Sequence, residues 1–177
     1  MISLRSFCDL LSPYVGINPN GLYERQRALT KIGALPAPVR GRGYGLLASP
    51  DTVAPILTAL MATDNLSNIA RAFWTIGNLP CSKGEVCRLT GKGKFNDAII
   101  ALLNSSSLAQ RVISIQVYRA DHAATISFSG RKAGGKQDAT TFGKPKDFPD
   151  RLEVTAVLWG HVLEKIAQLL QSAMEEN

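Results

Sequence analysis

Tyr23, Gln26, Arg27, Thr30 and Lys31 are the residues of this 177-residue chain whose types and spacing suit the recognition of a polyanion. Arginine donates two parallel hydrogen bonds to a guanine edge, glutamine pairs with adenine, and tyrosine and threonine hydroxyls reach phosphate oxygens. All five fall within residues 19–32, where Leu22, Leu29 and Ile32 mark one apolar helical face and leave these side chains on outward ones. Asn20 joins them at the start of that helix, where free amides and the positive end of the dipole favour a phosphate. Downstream, Arg40, Arg42 and Tyr44 alternate with Gly41, Gly43 and Gly45. Glycines there let the backbone approach a ligand closely.

Other chemistry finds little support in the residue types. His122 and His161 are far apart in sequence, and there is no Gly-x-Ser-x-Gly, no His-Glu-x-x-His and no framed pair of carboxylates. No catalytic residue, cofactor or enzymatic activity is therefore assigned. Cys81 and Cys87 are six positions apart, without a second pair or a nearby histidine, so no metal site is assigned either. Gly41-x-Gly43-x-Gly45 follows no predicted strand and lacks the Gly-Lys-Ser/Thr ending of a phosphate-binding loop. Gly91-Lys92-Gly93-Lys94 reads as a surface turn.

The elements that must position these residues follow from periodicity and punctuation. Ile2, Leu4, Phe7, Leu10 and Leu11 predict a first helix with Ser3 as its cap, ended by the Ser12-Pro13 to Gly16 stretch. Asn18-Pro19-Asn20 is a helix-start signal for the second helix, and Gly33 sits where a left-handed C-terminal cap belongs. Prolines and alternating glycines over 35–47 predict a hairpin tip, a basic wing. Ser49-Pro50-Asp51 opens a third helix with Val53, Ile56, Leu57 and Leu60 inward. Further helices are predicted over 67–79, with Phe73 and Trp74 as core or interface anchors, and over 95–103. Alternation then takes over, and residues 111–129 read as a β-hairpin. Residues 130–148, rich in Gly, Lys and Thr, read as a mobile loop, and Leu152 and Val154 as a third strand. A last helix, about 156–174, carries the stripe Leu158, Val162, Ile166, Leu169 and Ala173.

Charge is distributed unevenly. The formal net charge is +6. Residues 1–50 hold six Arg and Lys against Asp9 and Glu24, for +4, whereas residues 151–177 carry −2. A second basic cluster, Arg131, Lys132, Lys136, Lys144 and Lys146, lies in the predicted loop. Both places attract phosphate. No stretch approaches the roughly 18 apolar residues of a membrane helix, so no membrane partner is expected. Arg5 and Asp9 argue against a signal peptide, and three cysteines suit a reducing cytoplasm.

The order of helix, short turn, capped basic helix, Gly-rich basic hairpin and capped helix carries a resemblance. Gly21-Leu22-Tyr23-Glu24-Arg25, Gly33-Ala34-Leu35-Pro36-Ala37-Pro38, Arg40-Gly41-Arg42-Gly43-Tyr44 and Ser49-Pro50-Asp51-Thr52-Val53 are similar to the head of MerR-like (mercury-resistance-regulator-type) winged helix-turn-helix proteins. The resemblance covers residues 2–60. It implies that the second helix and the wing contact DNA and that the helix after the wing completes the head. Extra residues between Tyr-Glu-Arg and Gly-x-Leu-Pro imply a longer recognition helix. The C-terminal part does not resemble the family's dimerising coiled coil or effector cysteines, so metal or drug sensing is not implied.

The expected fold is α+β: a winged helix-turn-helix head over 1–48, then an α+β domain over 49–177 with a helical segment, a β-hairpin and a long C-terminal helix. The expected activity is that of a bacterial or phage transcription regulator binding double-stranded DNA, cytoplasmic and nucleoid-associated. Its recognition residues are Asn20, Tyr23, Gln26, Arg27, Thr30 and Lys31, with Arg40, Arg42 and Tyr44 on the wing. Such heads work in pairs on spaced half-sites, so a homodimer is expected, with the last helix as interface or as cover for the sheet. The C-terminal part is also open to a protein partner. The alternatives are a single-strand or RNA-binding accessory factor in antitermination or replication, using the hairpin and basic loop, and a protein-interaction adaptor.

Overall fold

The computed structural model describes residues 2–37, 45–130, 137–144 and 153–175. Helix α1 spans Leu4–Val15, with the Ser3 hydroxyl accepting from the Ser6 amide at 3.0 Å as its N-cap. Its end differs from the sequence expectation, because Pro13 lies inside the helix rather than stopping it. Proline removes the hydrogen bond to the carbonyl of Asp9, and Asp9 is exposed, so water can take that role. Gly16, at φ 68°, then closes the helix, its amide bonding the Ser12 carbonyl. Helix α2 spans Pro19–Lys31 behind an Asn18 cap, and α3 spans Pro50–Ala62 behind a Ser49/Thr52 capping box. Helices α4 (Ile69–Gly77), α5 (Phe95–Leu103), the short α6 (Ser106–Ala109) and α7 (Gly160–Glu175) complete the helical set among the described residues.

A four-stranded antiparallel sheet follows, β1 (Val112–Tyr118), β2 (Ala123–Ser129), β3 (Gln137–Phe142) and β4 (Thr155–Trp159), in the order β3-β2-β1-β4. Two expectations are corrected here. Residues 137–142 form β3 instead of belonging to a mobile loop. The strand has partners on both sides: β2 along its length, and a bridge from Phe142 to Cys81. Phe142 is buried edge-to-face on Phe95, ring centroids 5.4 Å apart. Residues 156–159 belong to β4, not to the last helix, so Leu158 faces the sheet's buried side opposite Ile115. Val154 lies just before β4, and Leu152 lies outside the described residues.

The change from β4 to α7 takes no intervening residue. Gly160 permits this: a Cβ there would lie 1.7 Å from the Val112 carbonyl oxygen. Helix α7 then lays Leu163, Ile166, Ala167, Leu170 and Ala173 inward, with Val162 and Leu169 half-buried against the same core. It packs on β1, β4, α5, α6 and α1. The stripe therefore covers the sheet and is not a free interface. The opposite sheet face carries Trp159 and Val157, which are exposed, and Gln116, Tyr118, Thr125, Ser127 and Thr141, which are half-buried. Trp159 is 54% exposed there; on α4, Phe73 is buried in the core and Trp74 is exposed.

The apolar core runs without a break across residue 48, joining Leu4, Phe7, Leu22 and Leu29 to Ile115, Ile126 and Leu163. Cys8, Cys81 and Cys87 are free and buried within it. Burial, with Asp9 adding to it, pushes the Cys8 thiol up to about 11, and burial likewise raises Cys81. Only the thiolate is reactive, so both should resist alkylation at neutral pH until the chain unfolds; rapid labelling of either in the native protein would contradict their placement. Gly160→Ala should lower stability by about 3 kcal/mol through overpacking against Val112. In a chain of this length that corresponds to a fall in Tm of about 6–12 °C, read by thermal unfolding.

Candidate nucleic-acid interface

Helix α2 is held in place from inside. Leu22 and Leu29 are fully buried, and Asn18 Oδ1 accepts from the Gly21 amide at 2.8 Å. Arg25 is the unexpected anchor, only 8% exposed. Its guanidinium donates to the Gly21 carbonyl (3.3 Å) and, from Nη2, to the Asp64 carbonyl (3.1 Å), beyond the end of α3. This basic residue therefore does structural work, and the charge available to a ligand on α2 comes from others.

The outward residues fall into two groups. Asn20, Arg27 and Lys31 are exposed. Arg27 pairs with Glu24 at 3.2 Å with both side chains largely in solvent. Such an i,i+3 pair is worth only about 0.3–0.5 kcal/mol, so Arg27 gives up little by turning to a phosphate or a base. Tyr23, Gln26 and Thr30 are half-buried and more constrained. Thr30 donates its hydroxyl to the Gln26 carbonyl at 3.0 Å. Gln26 Oε1 is enclosed without a hydrogen-bond partner among the described residues. Tyr23 lies under the Arg5 guanidinium, 4.7 Å from the ring centroid.

Arg5 is the residue that sequence reasoning missed. It belongs to α1, but the α1–α2 packing brings its exposed charge beside the α2 row. The aromatic-cationic pair has no sequence-local signal, since the two residues lie on different helices.

Arg40, Arg42 and Tyr44, with the remainder of residues 38–44, lie outside the described residues. The chain on either side of them is well fixed. Leu35 is buried, its amide bonding the Leu29 carbonyl, just after Gly33 at φ 74°. On the return, Leu47 bridges antiparallel to Ser3, with the Leu4 amide on the Leu46 carbonyl (2.6 Å) and the Ala48 amide on that of Ile2 (3.1 Å). This ladder joins the beginning of α1 to the approach of α3.

Gly91, at φ 71°, makes a tight turn in which its amide bonds the Cys87 carbonyl and the Cys87 amide bonds that of Lys92. His122 is exposed at the β1–β2 turn and His161 lies in the first turn of α7, on separate elements. Among the described residues no cluster of His, Cys, Asp or Glu is grouped to hold a metal. No helix there is long and apolar enough to cross a membrane. Comparison with family models, with curated proteins and with solved structures finds no match to this chain.

Proposed function

We propose that this protein binds double-stranded DNA through the outward side of α2, as a regulator of the kind found in bacteria and phages. The observation that carries this reading is the division of labour on one helix. Leu22, Arg25 and Leu29 fix α2 in the core, and Asn20, Arg27 and Lys31 stand in solvent beside the Arg5–Tyr23 pair. A helix of 13 residues is about 20 Å long and fits a major groove. Its cations neutralise phosphates, and Arg27 reaches a guanine edge. The sequence of the adjoining segment, with Arg40, Arg42 and Tyr44, adds two further positive charges close to α2 in the chain.

The reading includes a pair of chains. With the α7 stripe buried, the association surface that suits a second copy is the opposite sheet face around β4, with Trp159 and Val157 exposed. Its outward rows hold no charged side chain. Two chains of net charge +6 repel one another, and an uncharged face is where that repulsion is weakest.

Arg27→Ala and Lys31→Ala should each weaken binding to a cognate duplex by about 1–3 kcal/mol, measured by fluorescence anisotropy. Removing Arg40 or Arg42 should weaken all duplexes alike and lower the salt slope by about 1 for each phosphate no longer neutralised. Unchanged duplex binding across these four variants would sink the interface. Trp159→Lys should give a monomer by sedimentation and reduce duplex affinity by about tenfold or more; an unaltered mass would remove the sheet face as the site of pairing.

A further inference from the structure

A cleft of about 220 Å³ opens between α4, the end of α3 and the β1–β2 turn. Its polar lining is Thr63, Asn68, Arg71, Thr75, Arg119 and His122, and no carboxylate lines it among the described residues. Arg71 and His122 are exposed, and the side chains of Arg71, His122, Asn68 and Thr75 form no hydrogen bond or ion pair among the described residues. His122 sits at φ 50°, the left-handed region that a residue with a side chain enters only at a cost in strain. The tight β1–β2 turn thus places an imidazole, where a glycine would be the unstrained choice, at the mouth of a concave cationic site.

Arg119 connects this cleft to α2. Its Nε donates to the Met61 carbonyl (2.8 Å) and its Nη2 to that of Leu60 (3.2 Å), capping α3. The same guanidinium grips both carboxylate oxygens of Asp64, Nη2 lying 3.0 Å from Oδ1 and Nη1 bonding Oδ2. Those hydrogen bonds hold the Asp64 carboxyl below the usual carboxylate range. The carbonyl of this same Asp64 receives Arg25 from α2. One residue is therefore shared between the guanidinium that lines the cleft and the guanidinium that fixes the outward-facing helix.

We propose that the cleft binds a small dianionic phosphate, free or esterified, held by Arg71, His122 and the hydroxyl and amide groups beside them. A phosphate at this position competes with Asp64 for Arg119. Its occupancy is felt at Arg25, and so in the seating of α2. Phosphate rather than a monoanion suits two uncompensated donors on opposite walls plus neutral donors between them. The regulatory part rests on the DNA-binding reading above; the binding site does not.

The test is an amide NMR titration of the full chain with inorganic phosphate, and in a second arm with ribose 5-phosphate. Saturable shifts are expected at Arg71, Thr75, Arg119 and His122, extending to Asp64 and Arg25, in one arm or both. The arm with the tighter saturation identifies the free or the esterified ligand. Arg71→Gln and His122→Asn, both at exposed positions, should each weaken binding about tenfold. Shifts confined to Arg27 and Lys31, or non-saturating shifts unchanged by the two variants, would overturn the site. A chain that saturates at the cleft but binds no duplex refutes the DNA reading and leaves the site standing. Duplex binding with no saturable cleft shifts does the reverse.

Discussion

Helix α3 is apolar on every side. Residues 52–59 are buried without interruption, and the polar side chains among them are tied off, Thr52 to the Leu47 carbonyl and Thr58 to Asn96. A helix with no polar face has no stable place at a surface, so the other elements must enclose it. Helices α2, α4 and α5 and strands β1 and β4 all pack on it. The basic N-terminal helices and the sheet are thereby built onto one shaft. The orientation of α2 is set by that shaft: Arg25 cannot keep its hydrogen bond to Asp64 if the helix turns about its axis.

Much of this arrangement is legible in the residues. Caps are local, and Ser3, Asn18-Pro19 and Ser49-Pro50 place the starts of α1, α2 and α3 as the structure has them. The alternation from Ile115 to Phe128 places the β1–β2 pair, but it fails at the start of β1, where the register shifts between Val112 and Ser114 so that Ser114 is buried and Ile113 exposed. Local reasoning fails where partners decide. Gln137–Phe142 is a strand because β2 and Cys81 flank it, while its composition reads as a turn-rich loop. The extent of β4 is set by its ladder to β1, and only the missing side chain at Gly160 marks where α7 takes over. Pro13 misleads in the other direction, since the bond it removes lies on a wet face.

The candidate interface was legible to a similar degree. Alternation of apolar and polar positions separates Leu22 and Leu29 from Arg27 and Lys31, and the structure keeps that separation. It does not reveal that Arg25 turns inward to a carbonyl 39 residues away, or that Arg5 stacks on Tyr23. Both depend on packing between elements. The electrostatic character of the molecule follows a similar line, with cations beside α2 and around the α4 cleft and outward sheet rows that hold no charged side chain. As proposed above, a basic helix serves a polyanion and a neutral face serves a second copy, so the two roles fall to chemically distinct surfaces.

The short ladder between residues 2–4 and 46–48 has an architectural consequence. With Leu35 seated in the core on one side and Leu47 stitched to Ser3 on the other, the intervening stretch is bracketed by two fixed posts. Its length and composition can then drift over generations without shifting the register of anything that follows. The posts preserve the frame whatever residues stand between them.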